Sequence, residues 1–464
     1  MAINIFRCKE DLQKNPGILL FDQRTQSLPI FDHAFLNPNV NNSSRIPESS
    51  ILKAIHHMQC LGMTDYQDIQ TFNYDTLFVN SIGRTISPES LRQRLDIIGR
   101  NNNLLPSIDR SIALQLKNAS LRQISFFDSH FIPFDIDVTP FTNPNVHKEG
   151  ISRTYKGVKG FSPIMAYLGS YAVCFDLREG SQHSEKDAPE FVCRCFQISG
   201  LAGVNPSDTL VRVDSAHDDY KFVDACEAAY ANYLIKRNFR GASQRQITRY
   251  AKLNVKPVLS ADGRCLIYRF TYNLKPAGSP KCQAYSVFEV REVIRDEHGQ
   301  DPFALLRIHD RKSPLYGCES PEMYEVDSWW TNLPRPEGVD DRKVATRIID
   351  LYKDHATSEQ YHSELKTDMN MELLPSKYFS TNKAFLALSA VAFNTLRLIG
   401  DKAIMIDPSL QHHKTHRTER IRLRTVIEKF CTIACKVVKH ARDVMVFFGK
   451  HCPCFDTFVK LYQQ

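Results

Sequence analysis

The rhythm of hydrophobic and polar positions changes several times along the chain. Residues 1–120 follow a mostly helical spacing. "PESSILKAIHHMQCLGM" has Pro47 and Ser49/Ser50 at a helix start, and "SPESLRQRLDIIGRN" has Ser87 as N-cap, Pro88 in the first turn and Glu89 beside the positive end of the helix dipole. With the preceding "YDTLFVNSIGRT", the second of these fits a helix-turn-helix, although two helices and a turn are more often plain packing. From residue 121 the pattern turns to alternation. "QISFFDSHFIPFDIDVTPF", "YKGVKGFSPIMAYLG", "YAVCFDLREG" and "DTLVRVDSAHDD" read as strands with Gly-marked turns, "ACEAAYANYL" as a helix and "YLIKRNF" as a further strand. Residues 121–239 are therefore the first part of an α/β (α+β) core.

Residues 240–325 carry the Asp262-Gly263 hairpin signal and "AYSVFEVREVIRDEHGQDPFALLRIHD", two strands around a polar turn. They predict an all-β insertion. Residues 326–400 return to the core, with the strand "YEVDSWWTNL", a long helical stretch from Asp341 and the buried helix "AFLALSAVAF". Residues 401–464 begin with the polar linker "DPSLQHHKTHRTER". A helix is predicted after it, its stripe formed by Leu423, Val426, Ile427, Phe430, Ile433, Ala434, Val437 and Ala441.

Composition narrows the class. At 464 residues, 42% hydrophobic and 10% aromatic, the chain can bury a core in two to four domains and is not a disordered sequence. No apolar run is read as approaching the roughly 18 residues of a membrane span, and "MAINIFRCKEDLQ" has no basic-then-apolar leader. Thirteen cysteines without a CxxC pair point to free thiols and a cytoplasmic location. The "HCPC" spacing does not fit the common zinc fingers. Charge is uneven: Asp401 to Gln464 holds 12 Lys or Arg against 6 Asp or Glu, which is +6 of the net +7. A basic end suits a polyanion such as DNA, and also an ordinary solvated face.

Two stretches carry candidate chemistry. In "PFDIDVTPF", Phe134, Ile136 and Val138 share one strand face, while Asp135 and Asp137 share the other. Carboxylates in an apolar strand are costly unless solvated, paired or metal-bound. Asp214 likewise ends an apolar strand. In "YKDHATSEQYHSELK", Tyr352, His355, Glu359 and Lys366 fall within about 60° on a regular helix. Acids from three elements suit divalent cations of the kind used in phosphodiester chemistry. Spacing alone leaves a solvated stripe and a site both open.

These stretches, in order, resemble the insertion-sequence DDE transposases. The helix fits Y-x-x-[RH]-x-x-x-E-x-x-x-x-x-x-K. "FDIDVTPF", "EGISRTYKGVKGFSPIMAYLG", "LREGSQH", "VRVDSAHDD", "IKRNFR" and "TNLP" fit the same picture. The closing "ACKVVKHARDVMVFFGKHCPCF" is similar to the C-terminal signature of the insertion-sequence family numbered thirteen-eighty. The resemblance implies a ribonuclease H-like core with an all-β insertion, flanked by N- and C-terminal helical regions. It implies Asp137, Asp214 and Glu359 as catalytic metal-binding acids, with Asp135 as a second choice because Asp137-Val138-Thr139 matches D-x-T. It implies Mg²⁺ as cofactor (two ions, with Mn²⁺ as substitute), double-stranded DNA of element ends and target as partner, a homodimer in the synaptic complex, and no membrane. Tyr352, His355 and Lys366 match DNA-contacting positions, with His355 departing from the commoner arginine. Of Trp329 and Trp330, one is expected buried and one exposed for base stacking. Lys156, Lys159, Arg237 and Arg240 are candidates for backbone contact, and equally for solvated charge. The implied activity is metal-dependent cleavage and strand transfer. A nuclease of the same fold without strand transfer, or a non-catalytic DNA-binding derivative, are the alternatives.

Overall fold

The computed structural model describes residues 10–32, 46–239, 241–278, 282–300, 323–411, 420–440 and 443–464. Alternation along the middle of the chain builds a large mixed sheet. Its longer strands are β1 (Ser129–Val138), β2 (Ile164–Leu168), β3 (Tyr171–Asp176), β4 (Thr209–Val213), β5 (Asn232–Lys236), β6 (Cys265–Tyr272), β7 (Tyr285–Val293) and β8 (Tyr324–Thr331). The order across the sheet is β6-β7-β8-β5-β4-β1-β2-β3, with Val258–Leu259 outside β6 and Ile124–Phe126 on β1. Strands β1, β4 and β5 run parallel to their neighbours in that set; the other pairings are antiparallel. Strand β4 is buried along its whole length, which is why "TLVRV" reads as a nearly continuous apolar run.

The main helices are α1 (Glu48–Cys60), α2 (Pro88–Ile98), α3 (Leu104–Lys117), α4 (Ala188–Leu201), α5 (Gly241–Asn254), α6 (Asp341–Lys353) and α7 (Phe379–Ile406). Helix α2 starts as its sequence dictates: the Ser87 hydroxyl accepts from the Ser90 N–H and Pro88 fills the first turn. Helix α7 is apolar on nearly every side, so it must be enclosed. It lies between the N-terminal helices and the sheet. Gln59 and Gln115 donate to the Phe385 and Val391 carbonyls, and Asn394 both donates to and accepts from the backbone of Ala172 on β3. The N-terminal helices thus share one hydrophobic core with the sheet.

Three expectations need correction. Residues 240–325 are not all-β: α5 opens the segment and packs on the outer face of β6, β7 and β8. Strands β6 and β7 extend the central sheet, with Val287 opposite Trp329, rather than forming a sheet of their own. The C-terminal region is not one helix. Helical turns at Leu423–Cys431 give way to a hairpin, Cys435–His440 with Asp443–Phe448, and Leu12–Gln13 adds a third strand to it. The i,i+3,i+4 spacing holds to Phe430. Beyond it Val437 and Val438 favour a strand, and the pairing is with residues more than 400 positions away. Finally, α7 extends the apolar stretch well beyond "AFLALSAVAF": at 28 residues it is long and apolar enough by composition to cross a membrane, yet 94% of its most apolar part is buried inside the fold.

Candidate active site

Strands β1 and β4 are parallel neighbours, so they end at the same edge of the sheet. Asp135 stands opposite Arg212 in the register. Two residues further on lie Asp137, near the end of β1, and Asp214, directly after β4. Burial, and then the charge of Asp214, push the Asp137 carboxyl up to about 6. Burial also acts to raise Asp214. It is outweighed by the hydrogen bond and charge of His217, Nδ1 2.9 Å from Oδ1, and by the Ala216 N–H, so this carboxyl lies below its ordinary value.

The helix after β8 closes over these two acids. Helix α6 runs to Lys353, a 3₁₀ turn spans Asp354–Ala356, Thr357–Ser363 is α-helical and Glu364–Asp368 is a π-helix. His355 is buried, and its charge acts on both Asp137 and Asp214. The Tyr352 phenol is raised by burial and then by Asp214 and Asp137. Lys366 donates to the Pro140 carbonyl at 2.6 Å, and its ammonium is lowered by burial and by neighbouring Lys156. Tyr352, His355, Lys366 and Lys156 are thus brought around the acid pair. Glu359 is not. It is exposed and lines a neighbouring cavity of about 1230 Å³ with Arg122, Asp354, Gln360 and Arg420. A 3₁₀ turn advances roughly 120° per residue against 100° in an α-helix. The overwound turn adds to the roughly 40° by which Glu359 already trails His355, whereas His362, seven residues after His355, stays close to its face. His362 Nε2 lies 3.8 Å from Asp137 Oδ2.

Asp135 is committed to another partner. Its carboxylate receives Arg212 Nε at 2.7 Å, Arg212 Nη2 at 2.8 Å and His355 Nδ1 at 2.8 Å. Arg212 also bonds Asp354 and the Leu351 carbonyl, so this buried network ties β1 and β4 to the helix. Both tryptophans are buried, against the expectation that one is exposed. Trp329 packs on Tyr352, their rings 5.6 Å apart. Trp330 carries the Arg237 guanidinium 3.8 Å over its ring, and its N–H donates to Asp218. The α6 and Arg237 sides of β8 therefore each cover one indole. Arg237 is half-buried and also donates to Ser286 and Ser328, while Lys159 is exposed in the strand Lys159–Phe161. That strand comes after a tight turn at Gly157, whose φ of 79° suits glycine. Arg240 lies outside the described residues.

Four site residues escaped the sequence reading. Arg212 could have been found as a cation inside an apolar strand, which needs a partner. His217 follows Asp214 by three residues, and His362 follows His355 by seven, two helical turns. Tyr155 donates to the Val138 carbonyl at 3.1 Å; burial, then Asp137 and Asp214, push it up to about 12.

The donor types suit a divalent cation: two neighbouring carboxylates, one raised by the other, beside imidazole nitrogens that lack a hydrogen-bond partner among the described residues. Among the described residues, no three His, Cys, Asp or Glu groups are already gathered at coordinating distance. A family model described as "Transposase DDE domain" matches residues 128–395. Among solved structures, a piggyBac transposase synaptic complex with hairpin DNA aligns at 8% identity and a TM-score of 0.36, covering 89% of this chain and 77% of that one. No curated protein matches the chain.

Proposed function

We propose, for a chain that belongs to the transposase DDE domain family, that it binds the ends of a mobile DNA element, cuts there and joins the freed 3′ end to target DNA. The observation that carries this reading is the convergence of Asp137 and Asp214 at the ends of adjacent parallel strands. The strand order β3-β2-β1-β4-β5, three antiparallel strands and then two parallel ones, supports a ribonuclease H-like core. The all-β insertion becomes, in this reading, an α5-containing extension of the same sheet.

When bound, Mg²⁺ supplies Lewis-acid stabilisation of phosphodiester oxygens and lowers the pKa of a bound water. Two ions fit the reaction, with Mn²⁺ as substitute. Asp137 and Asp214 would hold the metal, and Glu359 is the third acid by its spacing. Straightening the Asp354–Ala356 turn would bring Glu359 back toward the face it shares with His355 on a regular helix. Lys366 and Lys156 stand where they can neutralise a phosphate beside the acids. Tyr352 and His355 flank the acids on the helix side. Each element presents two ends, so a homodimer is the working unit on DNA.

The test is cleavage and strand transfer on labelled element-end DNA in Mg²⁺. Asp137→Asn and Asp214→Asn should keep DNA binding and lose both products. Wild-type cleavage by either variant refutes the assignment. Cleavage without joined products in the wild-type protein would leave a nuclease.

A further inference from the structure

His362 has no role in the family pattern, yet it occupies an unusual position. Its side chain is 6% exposed, and both ring nitrogens are without a hydrogen-bond partner among the described residues. A buried imidazole with neither nitrogen satisfied is costly, and native structures keep such groups for a reason. One flank of the ring is held by Tyr167, with centroids 5.4 Å apart. Its Nε2 points to Asp137 Oδ2 at 3.8 Å, too far for a hydrogen bond. Two donors that each sit about 2.1 Å from one ion lie about 3.0 to 4.2 Å apart, depending on the angle between them. The observed separation falls inside that range.

We propose that His362 Nε2 is a metal donor beside Asp137 and Asp214, which gives this centre mixed oxygen–nitrogen character. The inference rests on the reading that these two acids hold a cation. A nitrogen donor favours first-row transition ions, whereas an all-oxygen set suits Mg²⁺. His355 and His217 each bond a carboxylate through Nδ1, an arrangement compatible with ligation through the other nitrogen; His362 is preferred because its own Nε2 stands at ligand-to-ligand distance from Asp137, with both ring nitrogens unpartnered among the described residues.

The probe is Mn²⁺ on the full-length protein, read by pulsed EPR and by titration. The wild-type spectrum should show ¹⁴N coupling from a bound imidazole. His362→Phe keeps the ring contact with Tyr167 and removes the nitrogens. It should lose the coupling and bind Mn²⁺ at least about tenfold more weakly, with a smaller change for Mg²⁺. Binding that depends on Asp137 but shows no ¹⁴N coupling in the wild-type protein overturns the proposal and leaves the two-acid reading intact. Coupling that survives in His362→Phe also overturns it, because the nitrogen then belongs to another histidine. No Mn²⁺ binding, or binding unchanged by Asp137→Asn, sinks the two-acid reading and this inference with it. If His362→Phe does not fold, the wild-type spectrum together with that of His362→Gln decides the matter.

Discussion

Asp135 and Asp137 are two residues apart on one strand face, yet their amides should move stability in opposite directions. Asp135 is paired twice with Arg212 and once with His355, and both the Asp135 and Arg212 side chains are almost fully enclosed. Removing its charge strands a buried guanidinium, and breaking such a pair costs about 3–5 kcal/mol. Arg212 keeps its bonds to Asp354 and the Leu351 carbonyl, so Asp135→Asn should sit near the lower end, about 3 kcal/mol. Asp137 is the reverse case. Its carboxyl is raised to about 6, so at pH 7 the folded state holds a charge it disfavours. A shift of about two units corresponds to roughly 3 kcal/mol at most. The side chain is 26% exposed, and solvent reduces that to about 1–2 kcal/mol. Asp137→Asn should therefore stabilise the metal-free protein. The assay is urea unfolding at pH 7 in a chelator, with the folded fraction followed by circular dichroism. If both variants shift stability in the same direction, the division of labour between the two acids is wrong. Added metal should then stabilise the wild-type protein and leave Asp137→Asn unmoved.

Three other outcomes rest on particular contacts. Glu359→Gln should abolish cleavage of element-end DNA while leaving unfolding within about 0.5 kcal/mol of wild type, since the side chain is exposed; retained cleavage would remove it from the acid set. Trp330→Ala should cost about 3–5 kcal/mol, because the indole supports Arg237 and bonds Asp218; unchanged stability with weakened DNA binding would instead make it a base-stacking residue. Burial acts to raise the Asp22 carboxyl, but hydrogen bonds from His57 and Ser81 and the charge of Lys53 hold it far below its ordinary value. A depressed carboxyl contributes stability above a pH of about 4 that is lost as pH falls further. Asp22→Asn should lower stability at pH 7 and flatten its decline in acid, as measured by urea titration at pH 7, 4 and 3.

The acid pair was readable because strand alternation is a local signal: Phe134, Ile136 and Val138 declare one face and leave Asp135 and Asp137 on the other. Which of the two is free was not readable, because it depends on Arg212 across a parallel pairing about 77 positions away. The helix-face argument placed Tyr352, His355 and Lys366 near the acids but assumed an unbroken α-helix. The 3₁₀ turn at Asp354–Ala356 has no mark in the local sequence. It arises where Asp354 is drawn to Arg122 and Arg212, and that attraction is set by tertiary structure. The C-terminal hairpin was missed for a similar reason, since its third strand comes from the other end of the chain.

The joining of β8 to β5 has a consequence for how this protein can be cut down or rearranged. Strand β5 lies between β4, which delivers Asp214, and β8, which returns the chain from the extension. A shortened chain that omits α5 to β8 would not yield a minimal core. It would bare Leu234 to Lys236 of β5 as an unpaired edge, in a strand whose middle, Tyr233, Leu234 and Ile235, is buried in the intact fold. Such an edge pairs with whatever strand it meets, and self-association is the usual result. The extension is therefore not a detachable module but the guard of the strand next to the chemistry.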